Sequence, residues 1–136
     1  MKLTSRYRFA AAHRLDSPAL PPEENRRLYG KCNNPFGHGH DYVVDVTLDG
    51  AVDESGQVVE RDAMDAFVRA RVVDRLDHKN LNVDEPEFSG VVATTENLAN
   101  LIRRALERDW PFRARLSAIR ISETARNTFA WEASKE

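Results

Sequence analysis

Two histidines separated by a single residue, His38 and His40, are the first feature of this sequence that could do chemistry. On an extended strand they share one face with α carbons about 7 Å apart, a spacing at which two imidazoles can chelate one metal ion. His13 ends another alternating segment and is a third candidate ligand. Three imidazoles that leave one tetrahedral position open are typical of a catalytic zinc site. The run from Gly37 to His40 alone, however, is equally consistent with a turn whose side chains are solvated.

Cys32 is the only cysteine of the 136 residues and stands shortly before His38. Two roles are open to it: a fourth ligand that closes the zinc site, or a free thiol beside the metal that acts as a general base. An unperturbed thiol has a pKa of about 8.5 and is barely ionised at neutral pH, so the base role requires a partner. His78, which follows Asp77, is the candidate partner, although a histidine there can equally cap the end of a helix.

One carboxylate and one polar triplet are candidates for contacts with an organic ligand. Glu123 ends an apolar strand pattern, where it could accept two parallel hydrogen bonds from an amidine-like heterocycle or form an ordinary surface salt bridge. Thr94, Thr95 and Glu96 could contact the same ligand. They could also simply begin a helix, with a threonine as the N-cap and the glutamate near the positive end of the helix dipole.

The pattern of apolar residues predicts the order strand, strand, helix, helix, strand, strand. This order indicates an α+β fold with a four-stranded antiparallel sheet and two helices on one face. The open edges of such a small sheet favour oligomerisation. The predicted elements are strands over residues 3–13, 38–48, 116–123 and 128–132, a long loop over 15–35, a helix capped by Asp62 and a helix capped by Thr94 or Thr95.

Length and charge exclude several classes of protein. At 136 residues the chain is expected to form one domain, 1–136, with a substantial core. Its 20 basic and 22 acidic residues give a net charge of −2, which argues against a nucleic acid as the main partner. No apolar run approaches the roughly 20 residues of a membrane-spanning helix, and the first residues lack the pattern of a signal peptide. A single cysteine excludes an internal disulfide, so we expect a cytoplasmic protein.

The ordered set of motifs resembles the 6-pyruvoyl-tetrahydropterin synthase family, which also includes the 6-carboxytetrahydropterin synthases of queuosine biosynthesis. The resemblance covers nearly the whole chain and includes every histidine and the only cysteine. The segments that carry it are Phe9 to Leu15, Glu23 to Asn25, Gly30 to Tyr42, Leu76 to Asn82, Thr94 to Leu98 and Ser122 to Thr124.

The resemblance implies the tunnelling fold (T-fold), in which three four-stranded sheets join into a barrel and two such trimers stack into a homohexamer. It implies a phosphorus–oxygen lyase that converts 7,8-dihydroneopterin triphosphate into 6-pyruvoyl-tetrahydropterin with loss of triphosphate. The active sites would lie between subunits. The implied roles are zinc binding for His13, His38 and His40, proton abstraction for Cys32, a proton relay from a neighbouring chain for Asp77 and His78, and pterin binding for Glu123.

The spacing between Cys32 and His38 bears on the product. Family members that form the carboxy product commonly have three residues between the cysteine and the His-Gly-His motif, whereas this chain has five, as pyruvoyl-forming members do. The resemblance therefore favours the pyruvoyl product, with the carboxy product and an aldol-type cleavage as alternatives. Phe36 and Asp41 stand where the family often has Asn, and Ala93 stands where Ser or Pro is more usual, which leaves the fine substrate preference open.

Two other classes remain open from the residues alone. A non-catalytic zinc- or pterin-binding module would hold the metal without releasing triphosphate. An unrelated zinc hydrolase would need a carboxylate base near the metal but neither Cys32 nor His78.

Overall fold

The computed structural model describes residues 1–134, which form one sheet and a set of helices. The expected domain, 1–136, thus includes two residues outside the described part. The strands are β1 (Lys2–His13), β2 (His38–Asp49), β3 (Lys79–Asn80), β4 (Arg115–Ser122) and β5 (Thr128–Glu132). The helices are α1 (Pro22–Tyr29), α2 (Arg61–Val68), α3 (Asp74–Leu76), α4 (Leu81–Asp84) and α5 (Thr95–Glu107), with a π-helical turn (Arg69–Val73) between α2 and α3 and 3₁₀ turns at Gly30–Asn33 and Pro86–Phe88.

The α+β architecture is as predicted, but the described sheet has five strands in the order β3-β1-β2-β4-β5 instead of four. The predicted strands are all present, and β1, β2, β4 and β5 pair antiparallel in that sequence. The additional strand, β3, is two residues long and lies parallel to β1 at the sheet edge. The prediction missed it because a two-residue strand is too short to show an alternating pattern.

The longest pairing in the sheet joins β1 to β2 and ends with His13 opposite His38. One face of this pair is apolar and buried, whereas the other carries polar cross-strand contacts such as that between the Thr4 and Thr47 hydroxyls, 2.7 Å apart. This alternation selects the register, because a slip of one residue would turn every apolar side chain to the wrong face. The buried residues of the two strands are Tyr7, Phe9, Ala11, His13, Tyr42, Val44, Val46 and Leu48.

Two amphipathic helices cover the apolar face, as predicted. Thr94 caps α5, since its hydroxyl accepts the N–H of Asn97 at 3.2 Å. The predicted N-cap of α2 was wrong: Glu60, not Asp62, is the cap, and its longer side chain accepts the N–H groups of Asp62 and Ala63. The buried residues of α2, of the π-helical turn and α3 that follow it, and of α5 include Met64, Val68, Val72, Leu76, Leu98, Leu101, Ile102 and Leu106. Within residues 1–134, every helix is too short or too polar to cross a membrane.

The segment predicted as a long loop, 15–35, contains α1 and the 3₁₀ turn Gly30–Asn33. Pro22 begins α1 and acidic residues follow in its first turn, both of which favour a helix start. The helix was missed because it buries only one residue, Asn25, and therefore shows no apolar periodicity. The Asn25 side chain accepts the N–H of Ser17 at 2.7 Å and donates to the carbonyls of Ser17 and Leu20, so a polar side chain anchors this segment.

An ion pair between a half-buried arginine and a buried glutamate connects the chain on either side of β3. Arg75, in α3, donates two hydrogen bonds to Glu85 at 2.8 and 2.7 Å, and Glu85 is 5% exposed. The guanidinium lowers the pKa of the Glu85 carboxyl, chiefly through these hydrogen bonds. The pair therefore closes the short loop that carries Asp77 and His78.

We predict that Glu85→Gln lowers the free energy of unfolding by about 1–3 kcal/mol, because the half-buried guanidinium loses its hydrogen-bonded carboxylate and keeps only the more distant Glu87, at 3.8 Å. Since the folded-state pKa of Glu85 is lowered, the stabilisation is full above its ordinary value of 4.5 and is lost as the pH falls through the folded value. Urea unfolding of wild type and variant at pH 7 and pH 3.5 measures both effects.

The control is Glu107→Gln, which removes an exposed pair with Arg103 on α5 and should change stability by less than about 0.5 kcal/mol. An unfolding free-energy difference for Glu85→Gln that stays constant between the two pH values would contradict the assignment.

Candidate metal centre and active site

The end of β1 and the start of β2 bring three histidines together. His13 lies opposite His38 in the register, and His40 follows on the same face of β2. The Nε2 atoms of His13 and His40 are 3.0 Å apart, and the rings of His38 and His40 meet edge to face with centroids 4.3 Å apart. One ligand atom from each of these histidines and the Cys32 sulfur all lie within 4.8 Å of one another. We call these four residues the donor cluster.

The orientation of His13 is set by a backbone carbonyl. His13 is fully buried, and its Nδ1 lies 2.9 Å from the carbonyl oxygen of Ala93. A carbonyl can only accept, so Nδ1 carries the proton and the Nε2 lone pair faces the cluster. Burial lowers the pKa of both His13 and His40, which keeps the rings uncharged, the form in which imidazole binds a metal.

Tyr42 contacts two histidines of the donor cluster and was not predicted as a site residue. Its ring stacks on Phe9 with centroids 5.1 Å apart and meets the ring of His40 at 5.6 Å. Its hydroxyl is 3.5 Å from Nδ1 of His13. The signal for it was present in the alternation of β2, which continues from His38 and His40 directly to Tyr42. Ala93 had no such signal, because a backbone carbonyl leaves no mark on residue type.

Cys32 reaches the cluster from the 3₁₀ turn after α1. The Leu15 N–H donates to the Cys32 carbonyl at 2.6 Å, and the Asn33 side chain donates to the Leu15 carbonyl at 2.7 Å, so the turn is tied to the chain leaving β1. The Cys32 sulfur is 3.9 Å from Nε2 of His40. Burial, and the nearby carboxylate of Glu123, raise the pKa of the Cys32 thiol. The thiol is therefore protonated at neutral pH unless a positive charge lies nearby.

Glu123 directly follows β4 and lies against the histidines. Its Oε1 is 3.0 Å from Nε2 of His40 and 3.6 Å from Nε2 of His13, and its side chain is mostly buried. The carboxylate thus adds a negative charge beside the donor cluster, where it favours a bound cation.

Asp77 and His78 are not part of this cluster in the single chain. Asp77 accepts the N–H of Ala10 at 2.9 Å, and its other oxygen is 3.4 Å from Nδ1 of His78. The His78 side chain is 83% exposed and its backbone has the left-handed φ of 59°, which is strained for a residue with a Cβ. The structure holds His78 outward at the β3 edge of the sheet.

Thr94, Thr95 and Glu96 form the start of α5, directly after Ala93. The Thr94 hydroxyl is engaged as the N-cap. Thr95 is 3% exposed, and its hydroxyl has no hydrogen-bond partner among residues 1–134. Buried hydroxyls are normally paired, so this unpaired one is unusual.

The donor cluster fits a metal ion of the zinc type. Imidazole and thiolate ligands suit zinc better than magnesium or calcium, which prefer oxygen. The carbonyl behind His13 is the outer contact that metal-binding histidines usually have. Fold and site thus define a small α+β protein with three imidazoles and a thiol gathered at the end of its sheet.

Comparison with known proteins assigns the family. Residues 2–134 match the model of the family described as 6-pyruvoyl tetrahydropterin synthase. The chain belongs to this family, and the predicted resemblance is confirmed. Its architecture is accordingly the T-fold.

Individual relatives agree over most of their length. The chain is 45% identical to the 6-pyruvoyl tetrahydrobiopterin synthase of Poecilia reticulata over 124 residues, which cover 88% of this chain and 81% of the relative. It is 40% identical to the human protein of the same name over 132 residues, which cover 96% of this chain and 90% of the relative. The solved structure of the Caenorhabditis elegans 6-pyruvoyl tetrahydropterin synthase superimposes with a TM-score of 0.91 at 36% identity, covering 98% of this chain and 96% of the other.

We predict that Gly37→Ala weakens zinc binding as well as stability. Gly37 has φ of 74°, and a Cβ there would lie 2.9 Å from the His13 carbonyl oxygen, so the substitution must displace the backbone of His13, a candidate ligand. The unfavourable backbone conformation should lower the free energy of unfolding by about 1–3 kcal/mol. Thermal unfolding and zinc titration against a chelator measure the two effects.

Gly56→Ala is the matched control, because Gly56 has φ of 83° but no atom within 4 Å of the added Cβ. It should cost similar stability and leave zinc affinity unchanged. Equal zinc affinities for the two variants would show that Gly37 does not position His13.

Proposed function

We propose that this chain is a zinc-dependent 6-pyruvoyl-tetrahydropterin synthase, a phosphorus–oxygen lyase that converts 7,8-dihydroneopterin triphosphate into 6-pyruvoyl-tetrahydropterin with release of triphosphate. The observation that carries the proposal is the gathering of three imidazoles and the only thiol within 4.8 Å at the end of the sheet. Relatives at 45% and 40% identity bear the name of this activity, and the five-residue spacing after Cys32 agrees with it. The carboxy-forming activity of queuosine biosynthesis is not favoured.

His13, His38 and His40 are the proposed zinc ligands. When bound, zinc supplies Lewis-acid polarisation of the substrate side chain, which makes its carbon-bound protons more acidic. The protein supports this role by keeping two of the rings uncharged and by fixing the tautomer of His13 through Ala93.

Cys32 is the proposed general base that removes a proton from the substrate side chain. Because burial and Glu123 raise its pKa, the thiol needs a partner that accepts its proton. Asp77 and His78 of a neighbouring subunit are the proposed partners. The outward placement of His78 in its own chain supports this arrangement, since the side chain is free to enter a site formed with another subunit.

The pterin ring is proposed to bind between Glu123 and the start of α5. Glu123 would accept hydrogen bonds from the amidine-like edge of the ring. The start of α5 directly follows Ala93, which contacts His13, and its residues Thr94, Thr95 and Glu96 are the proposed contacts there. We further propose a homohexamer of two stacked trimers, since the shared site requires at least two chains. We also propose that the protein is cytoplasmic and has neither a nucleic-acid nor a membrane partner.

Incubation of the zinc-loaded protein with dihydroneopterin triphosphate tests the function directly. We expect a pyruvoyl product and free triphosphate, identified by mass spectrometry, which distinguishes the pyruvoyl from the carboxy product by mass. Cys32→Ala should lower turnover by roughly 10²- to 10⁴-fold, the usual contribution of a positioned base, while zinc at saturating concentration still binds. Binding of zinc and pterin without triphosphate release would instead favour a non-catalytic module.

Mixed assembly tests whether a site draws residues from two chains. Cys32→Ala and His78→Ala proteins should each be nearly inactive, whereas subunits unfolded together and refolded as a mixture should regain part of the wild-type turnover. Recovery is expected because some interfaces then join an intact Cys32 to an intact His78. The control is each variant refolded alone, and a mixture no more active than these controls would place both residues in one chain's site.

A further inference from the structure

The sulfur of Cys32 lies 3.9 Å from Nε2 of His40 and within 4.8 Å of a ligand atom of each of the three histidines. Zn–N bonds of about 2.05 Å and a Zn–S bond of about 2.3 Å in a tetrahedron place two nitrogens about 3.3 Å apart and nitrogen and sulfur about 3.6 Å apart. The corresponding distances are 3.0 Å between the Nε2 atoms of His13 and His40 and 3.9 Å between Cys32 Sγ and His40 Nε2. Both pairs are thus within a few tenths of an ångström of shared tetrahedral coordination.

The backbone around Cys32 favours this position independently of its side chain. The Cys32 carbonyl accepts the N–H of Leu15 at 2.6 Å, and Arg14 donates to the neighbouring carbonyl of Asn33 at 3.2 Å. Leu15 and Arg14 follow His13 directly, so the turn that carries the sulfur is anchored to the strand end that carries a ligand. The ligand atoms of the cluster lie within 4.8 Å of one another, so coordination would require the side chains to move closer together.

We propose that the Cys32 thiolate is the fourth ligand of the resting site and that it leaves this position when the organic ligand enters. This inference rests on the proposed function, since it assigns a second state to the same residue. If zinc were bound by the three histidines, the Cys32 thiol would give its proton to solvent and its sulfur would bond to the metal. Entry of the ligand would break that bond with the electron pair left on sulfur, so Cys32 would be a free thiolate able to accept a proton.

This exchange reconciles the two roles that the sequence leaves open for Cys32. A permanent fourth ligand could not act as a base, because its electron pair would remain in the metal bond. A free thiol with the ordinary pKa of about 8.5 would be mostly protonated at neutral pH. Ligand exchange would free the deprotonated form only when a substrate is present.

Cobalt(II) in place of zinc provides a test with a readout other than activity. Thiolate coordination to cobalt gives an intense charge-transfer absorption in the near ultraviolet that imidazole ligands do not give. Cys32 is the only cysteine of the 136 residues, so such a band in this chain identifies its sulfur. We expect the band in the resting cobalt protein, its loss in Cys32→Ser, and its loss in the wild type on addition of neopterin, a pterin that carries the side-chain hydroxyls but no triphosphate.

The outcomes separate this inference from the proposed function. Bound cobalt without a thiolate band, or a Cys32→Ser spectrum identical to that of the wild type, would assign the fourth position to another group such as Glu123 or water and overturn the inference alone. A band that persists at saturating neopterin would overturn the exchange and also the base role of Cys32. Cobalt that binds equally to wild type and to His13→Ala would overturn the metal site on which both proposals rest.

Discussion

The pairing of β1 with β2 places His13 opposite His38, and the rest of the site takes its position from that pair. The same register lets Tyr7 and Phe9 on one strand and Val44 on the other bury on the helix-covered face. A slip of one residue would expose this apolar face and move His13 to the opposite side of the sheet. The burial of apolar side chains that stabilises the core therefore also keeps His13 opposite His38.

Burial of ionisable groups at one point makes the site favourable for a cation. His13 is fully buried, Glu123 is mostly buried, and the thiol of Cys32 lies 3.9 Å from His40. A buried carboxylate without a compensating charge is unfavourable, and protonated imidazoles are disfavoured here because burial lowers the pKa of His13 and His40. A divalent cation resolves both conflicts, since it binds neutral imidazoles and offsets the carboxylate.

The sequence allowed the family, the α+β class and four of the five described strands to be predicted, because each leaves a mark on residue types at short range. His38, His40 and Tyr42 follow from the alternation of β2. Three features had no local signal. The two residues of β3 pair only because α3 ends beside β1, Asn25 anchors α1 through polar contacts instead of an apolar stripe, and the carbonyl of Ala93 reaches His13 from 80 positions along the chain.

The two halves of the proposed proton path differ in how they are built. The donor cluster lies at the end of the longest strand pair, next to the buried core. Its side chains therefore cannot move far without disrupting the fold. His78 lies on the sheet edge in a strained left-handed conformation, held by its neighbour Asp77 and by the Arg75–Glu85 pair across β3. Backbone strain of this kind persists only where surrounding contacts impose it. In an unassembled chain the strain brings no benefit, because His78 is exposed and lies outside the donor cluster. Under the proposed shared site, assembly places His78 beside the thiol of another subunit, so a chain without its partners would hold the metal but lack the relay for the proton.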